Sequence, residues 1–207
     1  MTSTDRQLHV VGIGGTLRED STGLRALEEA LRAAEDAGAT TELLDLRELA
    51  LPTYEPGKAL EEYGENAERL VEAMRDADAM LWSTAAYHGT LAGATKNALD
   101  FAQFLARDEP PYFQDKAVGL VATAGGEMAA VNSINAMVNV VHALRGVAAP
   151  LSVPATQSWK VFDKQGNIRD EAMAGRLGSL GRLVVEMTSR LGPTGAQTAG
   201  QTLKTVA

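Results

Sequence analysis

LHVVGIGGTLREDSTGL, residues Leu8 to Leu24, is the stretch whose reading decides the fold. Leu8, Val10, Val11 and Ile13 form a short apolar run, as expected of a strand buried on both faces. Gly12, Gly14 and Gly15 follow, and glycine takes the tight turns of such a loop without steric cost. Thr16, Arg18, Ser21 and Thr22 come next, and a helical pattern begins near Thr22. A hydroxyl-rich loop running into a helix N-terminus offers backbone N–H groups, hydroxyl donors and the positive end of a helix dipole. Arg18 adds a charged fork matched to phosphate oxygens. These residues predict an anion site, with a plain strand–loop–helix junction of an α/β protein as the alternative.

Working outward, Leu24, Leu27, Ala30, Leu31 and Ala34 recur at helical spacing up to Gly38. Thr40 to Leu46 reads as a second strand, and Arg47 to Lys58 as a proline-bearing loop. Leu60 to Met74 reads as one amphipathic helix, Asp78 to Thr84 as a third strand, and Ala85 to Thr90 as its loop. Leu91 to Leu105 is helical in pattern, and Lys116 to Thr123 is a strong fourth strand closed by Ala124, Gly125 and Gly126. Met128 to Leu144 reads as a long helix, Ala149 to Val153 as a short fifth strand, and Thr156 to Asn167 as irregular. Asp170 is placed to cap a last helix to about Leu191.

Five strands alternating with helices predict an α/β fold: a doubly wound five-stranded parallel sheet with helices on both faces. Residues 1–191 read as a single domain, and 192–207, rich in Gly, Thr and Gln, as a mobile tail. Ligands of such sheets lie beyond the carboxyl ends of the strands at the switch point of strand order. The loops of unusual composition, GGTLREDST, AAYHGT and TAGGE, follow strands one, three and four.

Composition narrows the partners. The 207 residues carry 19 basic and 27 acidic side chains, a net charge of −8, which argues against nucleic acid and anionic membranes. A phosphate ligand would therefore depend on local donors, which puts weight on Thr16, Arg18 and Ser21. There is no cysteine, so thiolate catalysis, disulfides and iron–sulfur clusters are excluded. No metal site is expected. No apolar run reaches membrane-spanning length, and the polar start, Met1 to Gln7, lacks a signal-peptide core; the expected location is the cytoplasm.

Taken together, the three loops resemble the NADPH-dependent FMN reductase family, flavodoxin-like quinone, azo and chromate reductases. The family's first loop, Gly-Ser-x-Arg-x-x-Ser-x-Asn, corresponds to Gly15-Thr16-Leu17-Arg18-Glu19-Asp20-Ser21-Thr22-Gly23, with Ser→Thr keeping the hydroxyl and Asn→Gly losing an amide. Its second, Thr-Pro-x-Tyr-x-Gly-Ser and then Leu-Lys-Asn-Ala-Leu-Asp, corresponds to Thr84-Ala85-Ala86-Tyr87-His88-Gly89-Thr90 and Thr95-Lys96-Asn97-Ala98-Leu99-Asp100. The Gly-rich third loop corresponds to Thr123-Ala124-Gly125-Gly126. The resemblance extends from about Leu8 to Leu191.

The resemblance implies one FMN per subunit, with NADPH or NADH as electron donor. Gly15, Thr16, Arg18, Ser21, Thr22 and Gly23 would hold its phosphate. Ala85, Ala86, Tyr87, His88, Gly89 and Thr90 would line one edge of the isoalloxazine, and Thr123, Ala124, Gly125 and Gly126 would let backbone approach the pyrimidine end. It further implies a homodimer or homotetramer, and a small-molecule electron acceptor: a second flavin, a quinone, an azo compound or a metal oxyanion. No side chain need be catalytic, because the cofactor carries the redox chemistry. A flavodoxin-like electron carrier and a non-enzymatic regulatory module of the same fold are the alternatives.

Other residues invite roles of their own. Gly12-Ile13-Gly14-Gly15-Thr16-Leu17 lacks the third glycine of G-x-G-x-x-G, so Asp45 at the end of the second strand is a weaker sign of a dinucleotide site. His9 and His142 read as structural and Trp82 as core. Trp159 and Phe162 read as an interface or a lid, or equally as local packing. Lys96 and Asp100 can pair along one helix face or reach another subunit. Phe101 and Phe104, on that same helix, are candidates for a subunit contact.

Overall fold

The computed structural model describes residues 6–163 and 165–192. The apolar run of the opening stretch forms β1 (His9–Gly14). The remaining strands are β2 (Thr40–Asp45), β3 (Ala79–Tyr87), β4 (Thr90–Leu91), β5 (Ala117–Thr123) and β6 (Val147–Ala155). Five of them form the parallel sheet, in the order β2-β1-β3-β5-β6. The two-residue β4 folds back antiparallel on the end of β3, pairing Ala86 with Leu91 and Tyr87 with Thr90. From β1 the chain moves outward to β2 and then returns to the other side of β1, so the switch point lies between β1 and β3.

Helices cover both faces because the strands are apolar on both. On one face, α1 (Thr22–Asp36) and α7 (Glu171–Leu191) pack on Val10, Leu81, Val121 and Val153. On the other, α3 (Glu65–Asp76), α4 (Gly93–Asp100) and α5 (Glu127–Ala143) enclose Val11, Ile13, Trp82 and Leu120. Trp82 is fully buried and meets Phe113 edge-on at 5.7 Å. Small residues let α1 and α7 approach closely: a Cβ on Gly181 would overlap the carbonyl oxygen of Ala30.

Several boundaries differ from the pattern. The second strand stops at Asp45, whose carboxylate accepts from the Arg47 amide and caps the four-residue α2 (Leu46–Leu49) inside the expected loop. The amphipathic stretch from Leu60 breaks at Gly64, φ 86°, into a 3-10 turn (Leu60–Tyr63) and α3. The Tyr63 hydroxyl is drawn inward to the backbone of Glu55, accepting from its N–H at 2.7 Å and donating to its carbonyl at 2.9 Å. The third strand continues through Tyr87 instead of ending at Thr84, and the helix after it becomes 3-10 at Phe101–Leu105. The fifth strand is nine residues long, and as an edge strand it tolerates Pro150 and Pro154.

Phe101 is sealed in the core and Phe104 half-buried, in an aromatic cluster with Tyr54 and Tyr63, so Phe101 is turned inward and not available for a subunit contact. Lys96 pairs with Asp100 on its own helix at 2.5 Å. The expected tail, 192–207, lies outside the described residues apart from Gly192, which closes α7.

The glycines of the first stretch serve two purposes. Only Gly15 takes a positive φ, at 89°. Gly12 and Gly14 are strand residues whose backbones are closely approached: a Cβ would come 2.5 Å from Leu31 at Gly12 and overlap Ser83 Oγ at Gly14. Close packing, not turn geometry, requires glycine at those two positions.

Candidate functional site

The loops after β1, β3 and β5 converge on a cavity of about 370 Å³ beyond the carboxyl ends of the strands. Its wall includes Thr16, Arg18, Ser21 and Thr22 from the first loop, Ala85, Ala86 and Tyr87 from the end of β3, and Thr123, Ala124 and Gly125 from the third. Three stretches far apart in sequence thus share one wall, and they flank the switch point.

The first loop is anchored from below. Ser83, fully buried in β3, accepts the Gly15 N–H on its hydroxyl at 3.1 Å. Thr16 Oγ1 accepts the Arg18 N–H at 3.2 Å, and Ser21 Oγ caps α1 by accepting from Leu24 at 3.2 Å. Both hydroxyls are nearly buried and both act here as acceptors, which leaves each its O–H to donate. The Arg25 N–H goes to the Ser21 carbonyl. Among the N–H groups that open the helix, no acceptor for those of Thr22 and Gly23 is found among the described residues, and they remain for another acceptor. Such a set suits an oxyanion group. Gly23 lies against Thr123: a Cβ there would meet its Oγ1 at 3.5 Å, so the first and third loops touch.

The charged groups of the cavity are Arg18, Asp20 and Asp163. The Arg18 guanidinium engages Asp20 through Nε and Nη2, at 3.1 and 2.9 Å, with both side chains about 70% exposed. The Asp163 carboxylate accepts from the amides of Gln165 and Asn167, both at 2.8 Å, and from the Asn167 side chain at 3.0 Å. These hydrogen bonds, the Asn167 side chain's above all, hold its carboxyl below the usual aspartate range.

The second loop is a hairpin. His88 and Gly89 both have positive φ, 51° and 87°, as a two-residue turn between antiparallel strands demands. His88, Gly89 and Thr90 stand exposed on this turn, outside the cavity wall, whereas Ala85, Ala86 and Tyr87 lie in it. Gly15, Gly23 and Gly126 likewise lie next to the wall and not in it. Behind the hairpin, Thr84 Oγ1 accepts the Ala92 N–H at 3.0 Å and meets Thr95 Oγ1 at 3.0 Å, tying the end of β3 to the start of α4. The asparagine of the Lys96-Asn97 pair is a clamp, accepting from Tyr54 N and donating to the Pro52 carbonyl, both at 2.9 Å.

Sequence reasoning placed no cofactor-binding residue in the segment after β6, offering its aromatics only as an interface, a lid or local packing; the segment completes the wall. The short α6 (Ser158–Val161) brings Ser158, Trp159, Phe162 and Asp163 to the cavity. The Ser158 N–H bonds the Ala124 carbonyl at 3.2 Å, and the Trp159 ring lies 3.3 Å from where a Gly125 Cβ would sit. Phe162 is buried and pairs with Ile168, while Trp159 is 64% exposed. The one available sign was a pair of aromatics in a stretch without helical or strand periodicity.

A larger cavity, about 830 Å³, lies at the opposite end of the sheet, where the strands begin. Three of its charged groups, Arg6, Asp78 and Lys116, are committed to the fold. Asp78 accepts from the His9 amide at 2.8 Å and from Arg6, and Lys116 Nζ donates to the carbonyls of Met74 and Arg75 at 2.9 and 2.7 Å. That end closes the C-terminus of α3, and its cationic donors among the described residues, Arg6, Arg75 and Lys116, are all engaged.

Residues 8–160 match the NADPH-dependent FMN reductase family. An NAD(P)H-dependent FMN reductase of Pseudomonas aeruginosa is 28% identical over 167 residues, 79% of this chain and 86% of that protein. An NADPH azoreductase of a Bacillus species is 35% identical over 96 residues, 46% of this chain and 50% of the relative. Among solved structures, the NAD(P)H:(acceptor) oxidoreductase FerB from Paracoccus denitrificans superposes with a TM-score of 0.67 at 23% identity, over 88% of this chain and 98% of that one. That likeness establishes the flavodoxin-like fold.

Proposed function

The chain belongs to the NADPH-dependent FMN reductase family, and from that premise we propose that it is an NAD(P)H-dependent oxidoreductase that holds FMN at the β1/β3 switch point. The observation that carries this reading is the convergence of three loops on one cavity with a ready anion cradle at one end. The Thr16 and Ser21 hydroxyls, the Thr22 and Gly23 amides and Arg18 would hold the phosphate. The small side chains of Ala85, Ala86 and Ala124, with Gly125, would leave room for a planar ring beside Tyr87 and Trp159 in the same wall. Bound FMN supplies the transfer of electrons from NAD(P)H to a small-molecule acceptor. The protein's part is to place the ring at the mouth of the cavity, where donor and acceptor reach it in turn. A flavin, a quinone, an azo compound and a metal oxyanion are the acceptor classes this reading admits. A cytoplasmic location goes with it, because the reaction draws on a nicotinamide donor.

We further infer a homodimer or homotetramer. Five of the six exposed large apolar side chains among the described residues stand at the carboxyl end of the sheet: Leu17, Tyr87, Met128, Val131 and Trp159. A patch of this kind beside a site marks an association surface. Light scattering should give a multiple of 21.9 kDa at micromolar concentration.

The decisive test is a titration of purified protein with FMN, riboflavin and FAD, followed by NADPH and NADH oxidation with a quinone acceptor. FMN should bind in preference to FAD, and steady nicotinamide oxidation should follow. Flavin binding without turnover would favour an electron carrier, and no flavin binding would exclude the reading.

A further inference from the structure

The cavity holds one arginine and two aspartates, and the arginine is already engaged. Arg18 meets Asp20 side-on, with Nε and Nη2 on the two carboxylate oxygens at 3.1 and 2.9 Å. This is the two-point geometry in which a guanidinium meets a phosphate. The neighbouring acid, Glu19, has a separate partner, Arg47, at 2.7 Å. Asp163 is fixed by three hydrogen bonds from Gln165 and Asn167. Asp20 alone combines a place in the cavity wall, possession of the Arg18 fork, and enough exposure to turn away into water.

We propose that Asp20 is a built-in stand-in for the ligand's phosphate. It occupies the Arg18 fork when no anion is bound and yields it when one arrives. The proposal rests on the FMN reading above and adds a residue that tunes it. The physical basis is competition for one fork. A phosphate monoester carries between one and a half and two negative charges near neutral pH. It can engage both guanidinium nitrogens only if the carboxylate leaves. Both partners of the pair are exposed, so the pair is weak and the exchange costs little. Once displaced, Asp20 remains close enough to repel the phosphate. In both states it therefore lowers FMN affinity and speeds release. Such a device suits a protein that exchanges its flavin more than one that keeps it permanently. The Thr16 and Ser21 hydroxyls are not involved, since they accept from the Arg18 and Leu24 amides and not from Asp20.

The test is a double-mutant cycle on FMN affinity, read by flavin fluorescence at fixed ionic strength, with wild type, Asp20→Asn, Arg18→Ala and the double variant. Riboflavin, which lacks the phosphate, is titrated in parallel, and thermal melts check that each variant folds. Asp20→Asn should tighten FMN by about two- to fivefold, the scale of an exposed ion pair. It should leave riboflavin unchanged and lose most of its effect when Arg18 is alanine. An equal gain in both backgrounds would mean a diffuse charge effect and overturn the proposal. So would an equal gain for riboflavin, or no gain at all. Failure of the underlying FMN reading looks different: neither flavin binds wild type, and the proposal falls with it.

Discussion

The hydroxyl of Ser83, sealed within β3, accepts a hydrogen bond from the backbone N–H of Gly15 at 3.1 Å, so one strand of the switch point holds the loop that leaves the other. Ser83→Ala leaves that buried N–H unpaired, at a cost of about 1–3 kcal/mol in folding stability. Because this bond anchors the start of the first loop, FMN and riboflavin should both bind more weakly, by a similar factor. Chemical denaturation together with the two flavin titrations checks this. Unchanged stability with unchanged binding would mean that the loop is held elsewhere.

Arg18→Ala should behave differently from Ser83→Ala. Hydrogen bonds to charged groups contribute on the order of 1.5–3 kcal/mol, which predicts roughly 10- to 100-fold weaker FMN binding. Riboflavin affinity and the melting temperature should stay close to wild type, since the Arg18 side chain is about 70% exposed. A matched loss for both flavins would assign Arg18 to the loop or the ring instead of the phosphate.

At the far end of the sheet, Lys116 is 3% exposed, and burial pushes its ammonium down to about 8, opposed mainly by Asp78. Between pH 8 and its ordinary value of 10.5, the unfolded chain holds a proton that the folded chain has released. Stability contributed by this group therefore rises with pH across that window and is flat below it. Denaturant midpoints of wild type, referred to those of Lys116→Met, should climb from pH 8 to pH 10. Parallel pH profiles for the two proteins would contradict this.

Glycines within α7 should respond in opposite directions. At Gly181 an alanine Cβ would overlap the Ala30 carbonyl oxygen, whereas at Gly175 it would meet nothing within 4 Å. Gly175→Ala should stabilise by about 0.5–1 kcal/mol through helix propensity. Gly181→Ala should destabilise by about 1–3 kcal/mol as α1 and α7 are forced apart. Urea titration of both variants checks the pair, and the same sign for both would mean that the helices are not in tight contact.

Read alone, the chain determined its strand sequence, its parallel topology and the loops that matter. Those features depend on local periodicity: apolar runs, glycine and hydroxyl clusters, and helix-capping residues that act within a few positions. Thr16, Arg18, Ser21, Ala85, Tyr87, Thr123 and Gly125, which line one cavity, were legible as candidates because each lies in a stretch whose composition departs from its surroundings. Tertiary structure decided the rest, because it depends on distances between segments remote in sequence. Only packing shows that Gly14 is glycine on account of Ser83, that Asn97 clamps Pro52 and Tyr54, and that Phe101 faces the core. Only the length of β6 carries Trp159 and Asp163 back over the cavity. Only side-chain geometry reveals that Arg18, read from the sequence as a free phosphate ligand, is already paired with an acid two residues away.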